Sequence, residues 1–522
     1  MKRNHWSVFA FFVLLVVVLR FSSFFESVID SDESLYLLMA QSWLNGQPPY
    51  TEIWDNKPLG IYILFSLALI VFGKVVISIR ILACIAIIST SYLLYRLGNI
   101  IGKNGIGFLS GTLYAFNSLG NGGMASNTEI FFTPFVTLAF YLLLSKRISP
   151  SRLPAKINFR LLVIGLLLGI GFEIKYVVIF EFITVLLIVG TSLYFQKNNS
   201  KYFSILQSYI WLSLGFILPL SLISLYFVFN GHFDLYFYAN FIANKARTID
   251  NAFSFAALIK AILNQVKDNF LLWSCLLLTP LYLSLNRGID SEERSKITVF
   301  IAWFFGSLLG ICYVFRGEFW PHYFLQLTPS LCLLSSYLIT RLIFTDKNTS
   351  SVNQYFLLIL ILLVPFLHYA KYSFKRSANI IYFRQVKGIN NWGDNPAAIG
   401  EYIKKRINRN DYIYVVDYEP IIYVLAQAKI PTRYAYPAFL VGNISKLTGI
   451  DPIQELNNII MQKKPIYVIQ EQDHSDFFYT KHQDLFYAEL NEYLRKYYFL
   501  EKSYPQGSSN VIEVYKLIHT IN

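Results

Sequence analysis

The sequence is short of charge and of cysteine. Only 15% of its 522 residues are Asp, Glu, Lys or Arg, against about 25% in soluble globular proteins. That deficit argues against a purely soluble chain. The four cysteines, Cys84, Cys275, Cys312 and Cys332, all fall inside apolar blocks. None has CxxC or metal-ligand spacing, so they read as small core residues rather than a disulfide framework or a metal site. No internal repeat and no long low-complexity linker is visible.

Apolar residues make up 55% of the chain and aromatics 17%. They arrive in blocks of about 15 to 24 residues, the length that lipid demands of a helix. The net charge of +13 would suggest nucleic acid in a soluble protein. Here many Lys and Arg lie in short loops between apolar blocks, where they set orientation in a membrane. No nucleic-acid partner is expected.

Candidate spans are 6–25, 75–96, 105–120, 129–145, 161–174, 176–195, 206–229, 269–286, 297–315, 322–343 and 353–370. The first follows Met1–Arg3 and His5, is too long for a signal-peptide core and has no small-residue cleavage site. It reads as an uncleaved helix with a cytoplasmic N-terminus. A further block, 58–73, starts with Pro58 and is ambiguous. If it does not cross, Arg96, Lys103, Lys146, Arg147, Arg152, Lys156, Arg160, Lys197, Lys201, Arg287, Arg294, Lys296, Arg341 and Lys347 all lie inside. The positive-inside rule therefore makes 58–73 an interfacial helix on the outer surface and leaves about eleven spans.

After residue 370 the apolar runs shorten and charges return. The stretch from Asp411 to Asp417 reads as a strand, and Asp451 opens a helical pattern to about Gln462. Pro465–Gln470 reads as a strand, 483–496 as an amphipathic helix and 510–517 as a last strand. The expected fold is an α-helical polytopic membrane unit, residues 1–370, with a small outward α/β unit, residues 371–522. The latter shows no Gly-rich phosphate loop and no triad spacing.

The polar residues of the outward segments are more than connectors. The first outward loop carries Asp30-Ser-Asp32-Glu33 and Tyr36, then Asn45-Gly46, Pro49-Tyr50 and Trp54-Asp55-Asn56-Lys57-Pro58. Asp30 or Asp32 can simply cap a helix starting near Glu33. A carboxylate at the membrane surface can equally act as general base on a hydroxyl, and a nearby lysine can hold a lipid phosphate. Lys57, Lys175, Lys245, Arg247 and Arg316 all break the positive-inside trend. Such residues either snorkel to headgroups or mark an anion path.

This first-loop pattern resembles the GT-C glycosyltransferases related to protein O-mannosyltransferases and lipid A aminoarabinose transferases. Four further stretches are similar to theirs: Asn127-Thr-Glu129; Gly171-Phe-Glu173-Ile-Lys175; Asp234 to Tyr238 and on through Lys245 and Arg247; and Arg316 to His322-Tyr323. There are two departures. Leu59 stands where the family has a second Pro, and Asn56 stands where some relatives have Glu, with Asp55 the candidate replacement.

The resemblance implies a transferase using a polyprenyl-phosphate sugar, with inversion at the anomeric carbon. Asp32, Glu33 and Glu129 are the expected catalytic residues. Asp55, Lys57, Lys175, Tyr238, Arg247, Arg316, His322 and Tyr323 are expected to bind substrate or lipid phosphate. Glu173 is open to pairing with Lys175, and Glu129 to orienting the acceptor. No resident metal or other cofactor is expected, although Asp/Glu pairs can hold a divalent ion. The expected partners are the lipid-linked donor, membrane lipids and an acceptor that is protein, lipid or glycan. The expected location is a bacterial plasma membrane with the site facing the periplasm. Three other readings remain: an oligosaccharide transferase using lipid pyrophosphate, a lipid or glycan transporter, and a non-catalytic scaffold.

Overall fold

The computed structural model describes residues 5–102, 105–145, 155–195, 201–245, 253–315, 319–344, 351–441, 445–472, 484–507 and 510–518. Arg247 and Arg316 lie outside these residues, as do Lys103, Lys146, Arg147, Arg152, Lys197 and Lys347.

All eleven expected spans are helical, as is 58–73. Seven helical runs among the described residues are long and apolar enough to cross a membrane. An eighth arises if Phe255–Asp268 and Phe270–Leu285, bent by 104° at their junction, count as one span. Two of the other expected spans form shorter helices, Ile106–Asn117 among them. The first apolar block, for example, is a helix only over His5–Leu19 and continues as a 3-10 turn at Phe21–Phe25.

Nine helices in chain order frame the site: α1 His5–Leu19, α2 Ser31–Leu44, α3 Leu59–Phe72, α4 Ile77–Ile101, α5 Ile106–Asn117, α6 Thr128–Ser145, α7 Ala155–Ile174, α8 Ile179–Tyr194 and α9 Lys201–Phe229. Helix α3 has 14 residues, about 21 Å at 1.5 Å per residue. That is short of a hydrocarbon core of about 30 Å. It buries Ile61, Tyr62, Phe65 and Leu69 and leaves Leu67, Ile70 and Val71 exposed. Its start is pressed against the end of α7. A Cβ on Gly60 would come within 2.4 Å of the Glu173 carbonyl oxygen, so only glycine permits this approach.

One helical run continues from Ser351 through π-helical turns to Val386. Beyond it lies a four-stranded mixed sheet: β1 Ile413–Val415, β2 Tyr467–Glu471, β3 Tyr498–Gln506 and β4 Asn510–Leu517, in the order β1-β2-β4-β3. β1 and β2 are parallel, while β2–β4 and β3–β4 are antiparallel. The expected strands and helices are present, together with the unforeseen β3. Its nine residues include Glu501, Lys502 and Pro505 and are mostly solvent-facing, which hides the strand signal.

Candidate active site

The first loop begins with a cap. Asp30 Oδ1 accepts from the Asp32 backbone N–H at 3.0 Å and so N-caps α2. Asp32 is thereby spared the capping role. Its Oδ2 accepts from Tyr36 Oη at 3.1 Å and lies 3.5 Å from Lys57 Nζ. The Lys57 ammonium also stands 5.8 Å from the Tyr36 ring centroid. Burial works to raise the Asp32 carboxyl, but Lys57, then His322 and Lys175, draw it down to about 2. Asp30 goes the other way. Burial and the charge of Asp32 push it up to about 7.

Lys57 is held from behind. Tyr50, at φ 69° and fully buried, donates from its hydroxyl to the Lys57 carbonyl at 2.7 Å. A tyrosine in the left-handed region is uncommon and marks a backbone fixed by its surroundings. Asn244 Nδ2 donates to the Asn56 carbonyl at 2.8 Å, and Asn56 Nδ2 donates to Asn244 Oδ1 at 3.1 Å. Leu59 begins α3 directly after Pro58.

A second ion pair lies beside the first. Lys175 sits at the break between α7 and α8 in extended conformation (φ −155°, ψ 128°). Its ammonium contacts the Glu129 carboxylate and stands 4.5 Å from the Tyr323 ring centroid. Glu129 opens α6, and its Oε2 accepts from Thr128 Oγ1 at 3.1 Å. His322 stacks edge-on to Tyr323 at 4.5 Å between centroids. The His322 ring, like Lys57 and Lys175, lies within electrostatic reach of Asp32. Two lysines, a histidine and two carboxylates thus meet where the first and second loops approach the α7–α8 break. A low-polarity surround strengthens the pull of the two ammonium groups on an anion.

A sequence model described as dolichyl-phosphate-mannose-protein mannosyltransferase matches residues 56–229. That segment contains Lys57, Glu129 and Lys175. No curated protein sequence matches the chain. Among solved structures, the chain is similar to ArnT from Cupriavidus metallidurans bound to undecaprenyl phosphate. Identity is 12% and the TM-score 0.60, with 98% of each chain covered. It is also similar to the oligosaccharyltransferase AglB from Archaeoglobus fulgidus in complex with an inhibitory peptide and a dolichol-phosphate. There identity is 12% and the TM-score 0.51, over 98% of this chain and 74% of that one. A third likeness, to the mycobacterial arabinofuranosyltransferase AftD, has 11% identity and a TM-score of 0.54. It covers all of this chain but 40% of that one. The chain has the GT-C glycosyltransferase fold.

Within this GT-C fold, Asp32, Lys57, Glu129, Lys175, His322 and Tyr323 come together. Glu33 does not share their surroundings. Both its oxygens are taken by the Arg80 guanidinium, with the Ser126 N–H at 2.6 Å and the Ile29 N–H at 2.7 Å. Glu33 and Arg80 are each 1% exposed, so Glu33 clamps α2 to α4 and to the second loop. Asp55 feels the charge of Lys57, while its hydrogen bonds go elsewhere. It is fully buried and accepts from the Asn56 N–H and from Tyr62 Oη, each at 2.6 Å. Lys175 pairs with Glu129 and leaves Glu173 aside. Both Glu173 oxygens are buried without a hydrogen-bond partner in the described residues. Tyr238 sits apart, donating to the Leu447 carbonyl at 3.1 Å.

Sequence reasoning missed three contributors to this site. Arg80, inside an apolar helix, carried a usable signal, since a charge at that depth needs a partner or a function. Arg20 donates to the Gly123 and Met124 carbonyls at 2.7 and 2.8 Å and so shapes the second loop. The sheet-bearing C-terminal segment also touches the first loop directly. Ser31 Oγ donates to Glu419 Oε1 at 3.0 Å, the Trp54 N–H to the Arg433 carbonyl at 2.8 Å, and Arg433 Nη2 to the Tyr50 carbonyl at 2.6 Å. Contacts between segments some 380 residues apart leave no local pattern. Among the described residues, no three His, Cys, Asp or Glu side chains converge as a metal site.

Proposed function

We propose that this GT-C protein transfers a sugar from a polyprenyl-phosphate carrier to an acceptor hydroxyl, with inversion. The observation that carries the reading is the Asp32–Lys57 pair at 3.5 Å, with the Glu129–Lys175 pair beside it. A base and anion-binding groups then meet in one place. The acceptor oxygen attacks the anomeric carbon while Asp32 takes its proton. The bond from that carbon to the phosphate oxygen breaks, and polyprenyl phosphate leaves against Lys57 and Lys175. A single displacement inverts the configuration. Glu129 holds Lys175 in place, and His322 and Tyr323 complete the wall.

The bound lipids named for the ArnT and AglB structures support a lipid-phosphate donor. In this reading residues 1–370 form the catalytic unit and residues 371–522 an outer unit, in a bacterial plasma membrane with the site towards the periplasm. The test is sugar transfer from a panel of undecaprenyl-phosphate glycosides by the full chain in liposomes, with cell-envelope extract as acceptor. Inverted product from wild type and none from Lys57→Ala is expected. Turnover only with pyrophosphate-linked donors would overturn the donor assignment.

A further inference from the structure

Two features away from the active site meet at one depth. The first is the end of a long helical run. Phe356–Val386 has 31 residues and is apolar enough to cross a membrane. From Phe356 to Ala370 it holds no Asp, Glu, Lys or Arg. That stretch covers about 22 Å at 1.5 Å per residue, so a hydrocarbon core of about 30 Å ends near Lys375. Lys371, Lys375, Arg376, Arg384 and Lys387 follow, and no acidic residue occurs before Asp394. Glu26 answers Arg376 at 3.1 Å and Asp394 answers Arg384 at 3.4 Å. Lys371 and Lys375 are exposed, and neither has a carboxylate partner among the described residues.

The second feature is the elbow after Asp268. Phe255–Asp268 is bent by 104° from Phe270–Leu285, so a helix that crosses the membrane turns there into the membrane plane. Phe255, Ile259 and Leu263, four residues apart, form an exposed apolar face. Lys260 and Lys267, seven apart, are exposed beside it. An apolar face flanked by lysines is the pattern of a helix lying at an interface. Tyr369 joins the two features, donating from its hydroxyl to Asn269 Oδ1 at 2.7 Å. The helix length and the bend therefore mark the same surface. Both loops of the active site reach it. Ser373 donates to the Leu19 carbonyl and Arg384 to the Phe25 carbonyl. Gln265 and Asn121 exchange side-chain hydrogen bonds at 2.8 and 3.0 Å.

We infer that Lys260, Lys267, Lys371 and Lys375 form a docking surface for anionic phospholipid headgroups of the phosphatidylglycerol class, on the site side of the membrane. With Asp268 as the acid among them, the four lysines leave a net charge of +3. Their ammonium groups donate to phosphodiester oxygens, while Phe255, Ile259 and Leu263 enter the acyl layer. Each lysine near a charged surface is worth roughly fivefold in affinity. Phosphatidylcholine carries its own cation, is neutral overall and answers the lysines less well. The surface uses none of the residues assigned to the donor and does not depend on the transfer reaction.

The test needs no turnover. The full chain is placed in phosphatidylcholine nanodiscs that contain a photoactivatable phosphatidylglycerol or phosphatidylcholine, and crosslinks are mapped by peptide. Phosphatidylglycerol should label 255–269 and 369–376 at least about tenfold more than phosphatidylcholine. Salt at about 1 M should shrink the difference, because it screens the attraction. Lys371→Gln with Lys375→Gln, and separately Lys260→Gln with Lys267→Gln, should each cut the preference at least about threefold, with the melting temperature unmoved. Lys404→Gln with Lys405→Gln removes the same charge from another exposed helix end and should leave the labelling as it is. Equal labelling by the two lipids, or an equal loss in this control pair, would overturn the assignment. So would displacement of the label by inorganic phosphate, which would mean a free-phosphate site. Displacement by undecaprenyl phosphate far more readily than by unlabelled phosphatidylglycerol would also overturn it, because the surface would then belong to the carrier.

Discussion

Lys57 Nζ lies 3.5 Å from Asp32 Oδ2, and both side chains remain partly open to solvent, at 19% and 21%. The very next residue, Glu33, is sealed against Arg80. Two adjacent acids therefore do different work. Asp32→Asn is expected to lower kcat by about 10²–10⁴, the usual worth of a positioned base. Its melting temperature should stay near that of wild type, because Asp30 and not Asp32 caps α2. Glu33→Gln strands the buried guanidinium and should cost about 3–5 kcal/mol of stability. Parallel turnover and thermal-melt measurements separate the two. An inert Glu33→Gln in the melt would contradict the clamp.

The Glu129–Lys175 pair gives a double-mutant test. Lys175→Met alone leaves a buried carboxylate, and Glu129→Gln alone leaves a buried ammonium, so each should destabilise by about 3–5 kcal/mol. The double variant should recover most of that loss, because no lone charge remains. Donor affinity should not recover, since the anion-binding lysine is gone. Denaturation in detergent and donor-lipid binding on the same four proteins check both halves. Recovery of donor binding in the double variant would mean that Lys175 does not meet the phosphate.

Stability should also respond to pH with a definite sign. Asp30 at about 7 and Glu419 at about 8 lie above the unfolded carboxylate range. Between about pH 4 and pH 8 the folded chain keeps protons that the unfolded chain has released, so their contribution to stability falls as pH rises. Asp32, held at about 2, works oppositely, and its contribution is lost only as pH drops below about 4. Asp30→Asn keeps a good cap and should flatten the decline of the melting temperature from pH 5 to 8. An unchanged slope would place the proton elsewhere.

Much of this site was legible in sequence because its residues break local rules. Lys57 and Lys175 depart from the positive-inside charge pattern of the sequence, and Glu129 opens an apolar helix. Asp55 is the candidate replacement for a family Glu beside Lys57, and sequence cannot show that its carboxylate is bonded to Tyr62 and its own backbone. On spacing, Glu173 is open to pairing with Lys175. The chain breaks at Lys175, and the ammonium crosses instead to α6. Arg80 was visible but overlooked. Glu419 and Arg433 could not be read from sequence, because their partners lie in the first loop. The helical segments were legible from apolar length, whereas the number of full spans depends on breaks such as the 104° bend after Asp268.

Gly60 tests how tightly the lysine turn depends on packing behind it. The α3 start carries Lys57 and Pro58 immediately before it, and it rests on the end of α7. An added Cβ would meet backbone atoms, the Glu173 oxygen at 2.4 Å and its carbonyl carbon at 2.7 Å. Backbone cannot rotate aside as a long side chain can, so α3 must move. Overpacking of this kind costs about 1–3 kcal/mol. The displacement also shifts Lys57 against Asp32, and misplacing a catalytic group by about 1 Å can cost about 10²-fold. Gly60→Ala should therefore lower kcat far more than its loss of stability accounts for. By contrast, Gly46→Ala meets no atom within 4 Å but lies at φ 95°, so it should lose stability through backbone strain alone and keep kcat per folded molecule. Turnover normalised to folded protein decides between them. Equal kcat for the two variants would show that the α3–α7 contact does not position the lysine.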